Sequence, residues 1–144
     1  MKVKFVFPLT LAIIIGFLSA KIVYEIYNVS TQIKPNSYFI QIGAYTDKTS
    51  VNNVTKKLKA SLTILENGKS HVYVGITSDK DNSKKIKKIY EQLGYNVYIK
   101  EQYIANMTFY SNLKQYDILL KEATREEDLI SISKVILSSY EELV

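Results

Sequence analysis

The chain has 144 residues, 47% of them hydrophobic, and no cysteine. That length holds one domain of about 100 residues plus a short extra segment. It excludes a disordered tail, a disulfide framework, a thiolate nucleophile and a Cys-type zinc site. The formal net charge is +5, unevenly spread: eleven Lys face six acids over residues 36–102, while three Lys and one Arg face seven acids over 103–144. A basic middle before an acidic end fits either a polyanion-binding surface or two solvated helix faces of opposite sign. The abundance of Lys, Ile, Asn and Tyr, with a single Arg at Arg125, looks like the bias of an AT-rich genome and need not reflect function.

Residues 1–24 read as an uncleaved signal anchor. Phe5 to Ala20 carry no charge, and the apolar character resumes at Ile22, Val23 and Tyr24. A bilayer crossing takes roughly 20 apolar residues, and Phe5 to Tyr24 meets this when Lys21 snorkels to the headgroups. Lys2 and Lys4 favour an inside N-terminus, which places the rest of the chain outside the cell membrane. The competing reading is a cleaved signal peptide, but cleavage after Ala20 would put Leu18 where a small residue belongs. Residues 25–36 have the composition of a linker, and Pro35 blocks any helix from continuing.

Tyr38 to Tyr45 alternates as a half-buried strand. Asp47 or Thr49 can cap a helix carrying Val51, Val54 and Leu58. Ser61 to Leu65 reads as a second strand, and Asn67-Gly68 as a hairpin turn. A third strand follows over Ser70 to Gly75. Ser78 and Asp81 form a capping-box pattern. The next helix carries Ile86, Ile89, Tyr90 and Leu93 on one stripe. Asn96 to Lys100 reads as a fourth strand. The order βαββαβ predicts an α+β domain: a four-stranded antiparallel sheet with two helices on one face, of the ribonucleoprotein-like kind. Ile40, Ile42, Leu62, Ile64, Val72, Val74, Val97 and Ile99 are expected to face those helices. Phe39, Gln41, Tyr45, Thr63, His71, Tyr73, Tyr98 and Lys100 are expected on the opposite face.

Two amphipathic helices should follow within residues 103–144, the second opening on a capping-box pattern at Thr124 to Glu127. So much apolar surface has to bury something. The helices can cover the free sheet face, pack beside the domain, or dimerise.

The segment Tyr38-Phe39-Ile40-Gln41-Ile42-Gly43-Ala44-Tyr45 resembles the opening of a SPOR (sporulation-related) domain. His71-Val72-Tyr73-Val74-Gly75 and Leu93-Gly94-Tyr95-Asn96-Val97-Tyr98 are similar to later segments of that family, in the same order. The resemblance covers residues 37–102 and leaves 103–144 as an extension. It implies the SPOR fold, and a single-pass membrane protein of a low-GC Gram-positive-type bacterium. It also implies binding to peptidoglycan, with a preference for denuded glycan strands, in cell division, sporulation or wall remodelling. The family's first-strand Gln is matched by Gln41, whereas its usual Ser after the glycine is Ala44 here. With the aromatic and polar residues predicted beside Gln41, the expected glycan-binding set is Gln41, Phe39, Tyr45, His71, Tyr73 and Tyr98. Aromatic faces stack on sugar C–H bonds, and an amide both donates to and accepts from hydroxyls. The alternative is a protein-interaction subunit of an envelope or division complex, its sheet face covered by the C-terminal helices.

No catalytic constellation, cofactor motif or metal site is expected. His71 is the only histidine, and no P-loop, GxGxxG or HExxH occurs. Asp79 and Asp81 lack the spacing of a calcium loop. The ribonucleoprotein signature is missing, so nucleic acid is not an expected partner.

Overall fold

The computed structural model describes residue 13, residues 15–24 and residues 34–144. The anchor expected over 1–24 and the linker over 25–36 lie for the most part outside the described residues. Residues 15–24 are helical, with exposed side chains, and the Ser19 hydroxyl donates to the Ile15 carbonyl at 2.8 Å. Among the described residues, no helix is long and apolar enough to cross a membrane.

Pro35–Val144 forms a separate unit. Its elements are β1 (Ser37–Tyr45), α1 (Lys48–Thr55), β2 (Leu62–Glu66), β3 (Lys69–Thr77), α2 (Lys80–Gln92), β4 (Tyr98–Gln102), α3 (Met107–Glu122) and α4 (Glu126–Glu141). The strands form one antiparallel sheet in the order β2-β3-β1-β4. The βαββαβ order and the antiparallel sheet are as expected.

Short polar residues start the helices because they satisfy amide groups that have no partner within the helix. Asp47 caps α1 by accepting from the Ser50 amide at 2.7 Å. Asp79, rather than Ser78, caps α2, accepting from the amides of Asp81 and Asn82. Asn106 caps α3 through the Phe109 amide. The capping box expected at Thr124 to Glu127 does not form: Arg125 is the cap residue and makes no side-chain cap bond. Glu126, Glu127 and Asp128 in that first turn suit the positive end of the helix instead. At Asn67-Gly68 the two φ angles are 52° and 75°, the left-handed pair that a two-residue hairpin requires.

Register irregularities decide which residues share a face. Ile40 pairs with Gly75 but Gln41 pairs with Tyr73, so Val74 is an extra residue in β3. Gln41 pairs with Tyr73 but Gly43 pairs with Val72, so Ile42 is an extra residue in β1. Each one-residue insertion reverses the alternation beyond it.

One face of the sheet carries α2. A Cβ placed on Gly75 would lie 3.2 Å from Ile86 and 3.4 Å from Ile40, so these three residues meet there. The other face carries Phe39, Gln41, His71 and Tyr73, and α4 packs on β3 and β2. A chain of rings fixes this second layer. Phe39 meets Tyr73 edge-on at 5.4 Å and Tyr140 of α4 at 5.3 Å, and Tyr140 meets Phe109 of α3 at 5.2 Å. Phe39 and Tyr73 are fully buried.

The facing of β2 differs from expectation. Leu62 pairs with Tyr73 and Ile64 with His71, so both lie on the α4 side, and Thr63 lies on the side of Val72. Leu62 is buried and Thr63 exposed. A period of two identifies the apolar stripe of a strand without saying which of two cores it serves. The apolar residues of this edge strand serve the core that α3 and α4 complete. The buried cluster runs unbroken from Phe39 to Leu137 and includes Leu113, Leu120 and Ile136, each fully buried.

Two clasps close the fold. Asn36 binds both backbone groups of Ile104, donating to its carbonyl at 3.1 Å and accepting from its amide at 2.8 Å. This residue, expected at the end of the linker, therefore belongs to the folded unit. Lys85 of α2 donates to the carbonyls of Leu120 at 2.8 Å, Lys121 at 3.2 Å, and Ala123, at the end of α3. An ammonium there satisfies terminal carbonyls and meets the negative end of the helix dipole. Lys85→Ala is expected to cost about 2 kcal/mol in urea unfolding. A Lys85→Met change that leaves the midpoint unmoved would show that only the alkyl stem matters.

Candidate functional site

The C-terminal helices cover only part of the second sheet face. Gln41, His71 and Lys100 remain half-buried, Ala44 is exposed, and Tyr98 is 62% exposed. These residues are brought together by pairing: Gln41 lies opposite Tyr73 on one side and Tyr98 on the other, and Ala44 lies opposite His71.

Within this strip, His71 Nδ1 lies 3.1 Å from Gln41 Oε1. The amide oxygen only accepts, so Nδ1 carries the proton in this pair and Nε2 of a neutral ring is an acceptor. Gln41 keeps two N–H donors. The His71 ring stacks on Tyr73 at 6.4 Å with an interplanar angle of 14°, which holds the imidazole flat against the buried aromatic layer.

An ion pair borders the strip. Lys100 of β4 reaches Glu66 of β2 at 2.9 Å, joining the two edge strands across β1 and β3. The Lys100 ammonium also lies 3.4 Å from the Tyr73 hydroxyl. Burial pushes the Tyr73 hydroxyl pKa above its ordinary value, and the Glu66 carboxylate adds to this. Burial works against the Lys100 ammonium, but the Glu66 hydrogen bond and the Tyr73 hydroxyl outweigh it and raise its pKa. Tyr73 is therefore a neutral phenol whose oxygen accepts from Lys100, and Lys100 is a fixed cation at neutral pH.

The six expected site residues divide into three groups. Gln41, His71 and Tyr98 share the accessible strip. Phe39 and Tyr73 share that face but are fully buried beneath Tyr140 and its neighbours, so they support the strip and cannot touch a ligand. Tyr45 is on the opposite face: it pairs with Ser70, one residue out of phase with the Ala44–His71 pair. Its ring lies over Gly43, where any side chain would collide with it. The extra residue at Ile42 is the reason. Glu66 and the Lys100–Glu66 bridge were not among the expected site residues. The parity of β2 could have placed Glu66 with Ile64, but only a correct facing of that strand would have put it beside Lys100.

The strip offers amide donors, an imidazole acceptor, an exposed phenol ring and one cation, a set suited to a neutral or mildly anionic polyhydroxylated ligand. No group of three or more His, Cys, Asp or Glu that could hold a metal ion occurs among the described residues. Comparison with protein-family models, with curated proteins and with solved structures gives no match.

Proposed function

We propose that this protein binds the glycan strands of peptidoglycan, favouring denuded strands, through the uncovered strip centred on Gln41, His71 and Tyr98. The observation that carries this reading is the Gln41–His71 pair at 3.1 Å beside the exposed Tyr98 ring. It sits on the sheet face and at the strand position where the SPOR resemblance locates sugar contacts. The apolar N-terminal segment serves as a single-pass anchor in the cell membrane, N-terminus inside, and holds the module outside within reach of the wall. Its setting is cell division, sporulation or wall remodelling. It acts by binding and not by catalysis, and requires no cofactor.

Full-length protein held in detergent is expected to pellet with purified sacculi. Gln41→Ala should weaken this about tenfold while unfolding at nearly the parent temperature. Thr63→Ala, on the other face, should pellet like the parent. Absence of co-sedimentation at low salt would end this reading.

A second reading rests on the coverage by α4. With Phe39 and Tyr73 buried, part of the sheet face is closed, and the acidic helix pair exposes Ile118 and Leu119. This favours a protein-interaction subunit of an envelope or division complex. Crosslinking in cells that recovers a membrane partner while sacculus binding fails would select it.

A further inference from the structure

The sheet has two outer strands, β2 and β4, and their sequences protect them unequally. An edge strand presents unpaired N–H and C=O groups to any chain able to pair with them. Folded proteins blunt such edges with lysine, proline or a bulge. β4 carries Lys100 and Glu101 among its five residues. β2 reads Leu62-Thr63-Ile64-Leu65-Glu66, with no lysine, no proline and an unbroken register against β3. Leu65 is 73% exposed, the most exposed large apolar side chain of Pro35–Val144.

The hairpin turn fixes which backbone groups of β2 point outward. Asn67 and Gly68 both have positive φ. In such a turn the carbonyl of the first residue accepts from the amide of the fourth, so Glu66 and Lys69 are a hydrogen-bonded pair. Antiparallel pairing alternates, which makes Ile64↔His71 and Leu62↔Tyr73 hydrogen-bonded pairs as well. Thr63 and Leu65 lie between them, so their N–H and C=O groups point away from β3. No other backbone group bonds them among the described residues.

We infer that β2 pairs with β2 of a second copy of this chain, antiparallel about a two-fold axis, to make one eight-stranded sheet. Full overlap of the five residues sets Thr63 opposite the partner's Leu65, and Leu65 opposite the partner's Thr63, so the outward groups bond one another. Ile64 meets the partner's Ile64 on the axis. Glu66 meets the partner's Leu62, so no like charges are opposed. The same operation on β4 would set Lys100 against the partner's Lys100, a destabilising pair. A second copy is the occupant because β2 complements itself, as an isologous contact requires. The axis stands perpendicular to the sheet, so both Gln41 strips look to the same side, five strand spacings or about 24 Å apart. One strand pair is a small interface beside the roughly 1,200–2,000 Å² of stable complexes, so the pairing is weak and depends on concentration. It uses neither Gln41, His71 nor Tyr98, and stands or falls independently of glycan binding.

The chain has no cysteine, so single introduced cysteines report the register in full-length protein held in detergent. Under mild oxidation Ile64→Cys should give a disulfide-linked dimer at least about tenfold faster than Thr63→Cys or Leu65→Cys. On the axis the two Cα atoms come to about 4.5–5.5 Å, within disulfide reach. At the neighbouring positions the like residues stand more than about 7 Å apart. Leu65→Lys, an exposed change, should leave the melting temperature unmoved yet slow crosslinking of Ile64→Cys about tenfold. Crosslinking at Thr63→Cys or Leu65→Cys as fast as at Ile64→Cys would mean mere crowding in one micelle and would overturn the inference. So would the absence of any dimer with Ile64→Cys, or crosslinking that Leu65→Lys leaves untouched.

Discussion

A chain ending at Gln102 is expected not to fold, and Phe39→Ala in the intact chain is expected to cost about 3–5 kcal/mol. Both effects come from the second layer. Phe39 and Tyr73 are fully buried, Leu62 is 3% exposed, and the rings of Tyr140 and Phe109 complete the packing. Burying one such side chain stabilises by roughly 1.5–3 kcal/mol, and aromatic contacts add about 0.5–1.5 kcal/mol each. Domains of this size are stable by only about 5–15 kcal/mol in total. Removing residues 103–144 uncovers all these groups together and strips Asn36 of its two bonds to Ile104. Circular dichroism and urea titration of the truncated chain would decide. A cooperative transition near the parent midpoint would mean that the βαββαβ unit is self-sufficient and that the helices are an accessory. Phe39→Leu, which keeps most of the volume, should recover much of the loss.

Asp117→Ala is expected to cost at least about 3 kcal/mol, the second large effect. Asp117 is 7% exposed, on the inner side of α3. Its carboxylate accepts from the Thr77 hydroxyl, from the Ser78 amide at 2.9 Å and from the Ser78 hydroxyl at 2.5 Å. The Asn82 side chain donates to the Asp117 backbone carbonyl at 2.9 Å. One acid thus organises the end of β3 and the first turn of α2, where helix polarity favours negative charge. Alanine takes the carboxylate away from the Thr77 hydroxyl and both Ser78 donors, while Asn82 keeps the backbone carbonyl. Asp117→Asn keeps the shape but replaces one acceptor with a donor, so it should fall between alanine and the parent in urea midpoint. An Asp117→Ala protein as stable as the parent would show that water replaces the carboxylate at no cost.

These two predictions concern features that the sequence shows to different degrees. Alternation at Tyr38 to Tyr45, the helical stripe of Ile86 and Tyr90, and the Asn67-Gly68 turn are local signals. Period, cap and turn chemistry act over a few residues, so the βαββαβ order and the existence of two further helices were legible. Gln41, His71 and Tyr98 were legible as neighbours because the pairing that joins them lies within reach of the same alternation. Tyr45 was not, because a strand's residues alone do not reveal an extra residue at Ile42. A bulge is a property of two strands and their register.

The sequence by itself determined the element order, the antiparallel topology and the polar strip around Gln41. Those follow from the periods of burial and from turn residues acting locally. Only the tertiary structure decided which core Leu62 and Ile64 serve, that Phe39 and Tyr73 lie beneath α4, and that Asp117 anchors Ser78. Each depends on a contact between segments far apart in the chain. An apolar or polar residue states only that it needs a partner, and folding selects which one.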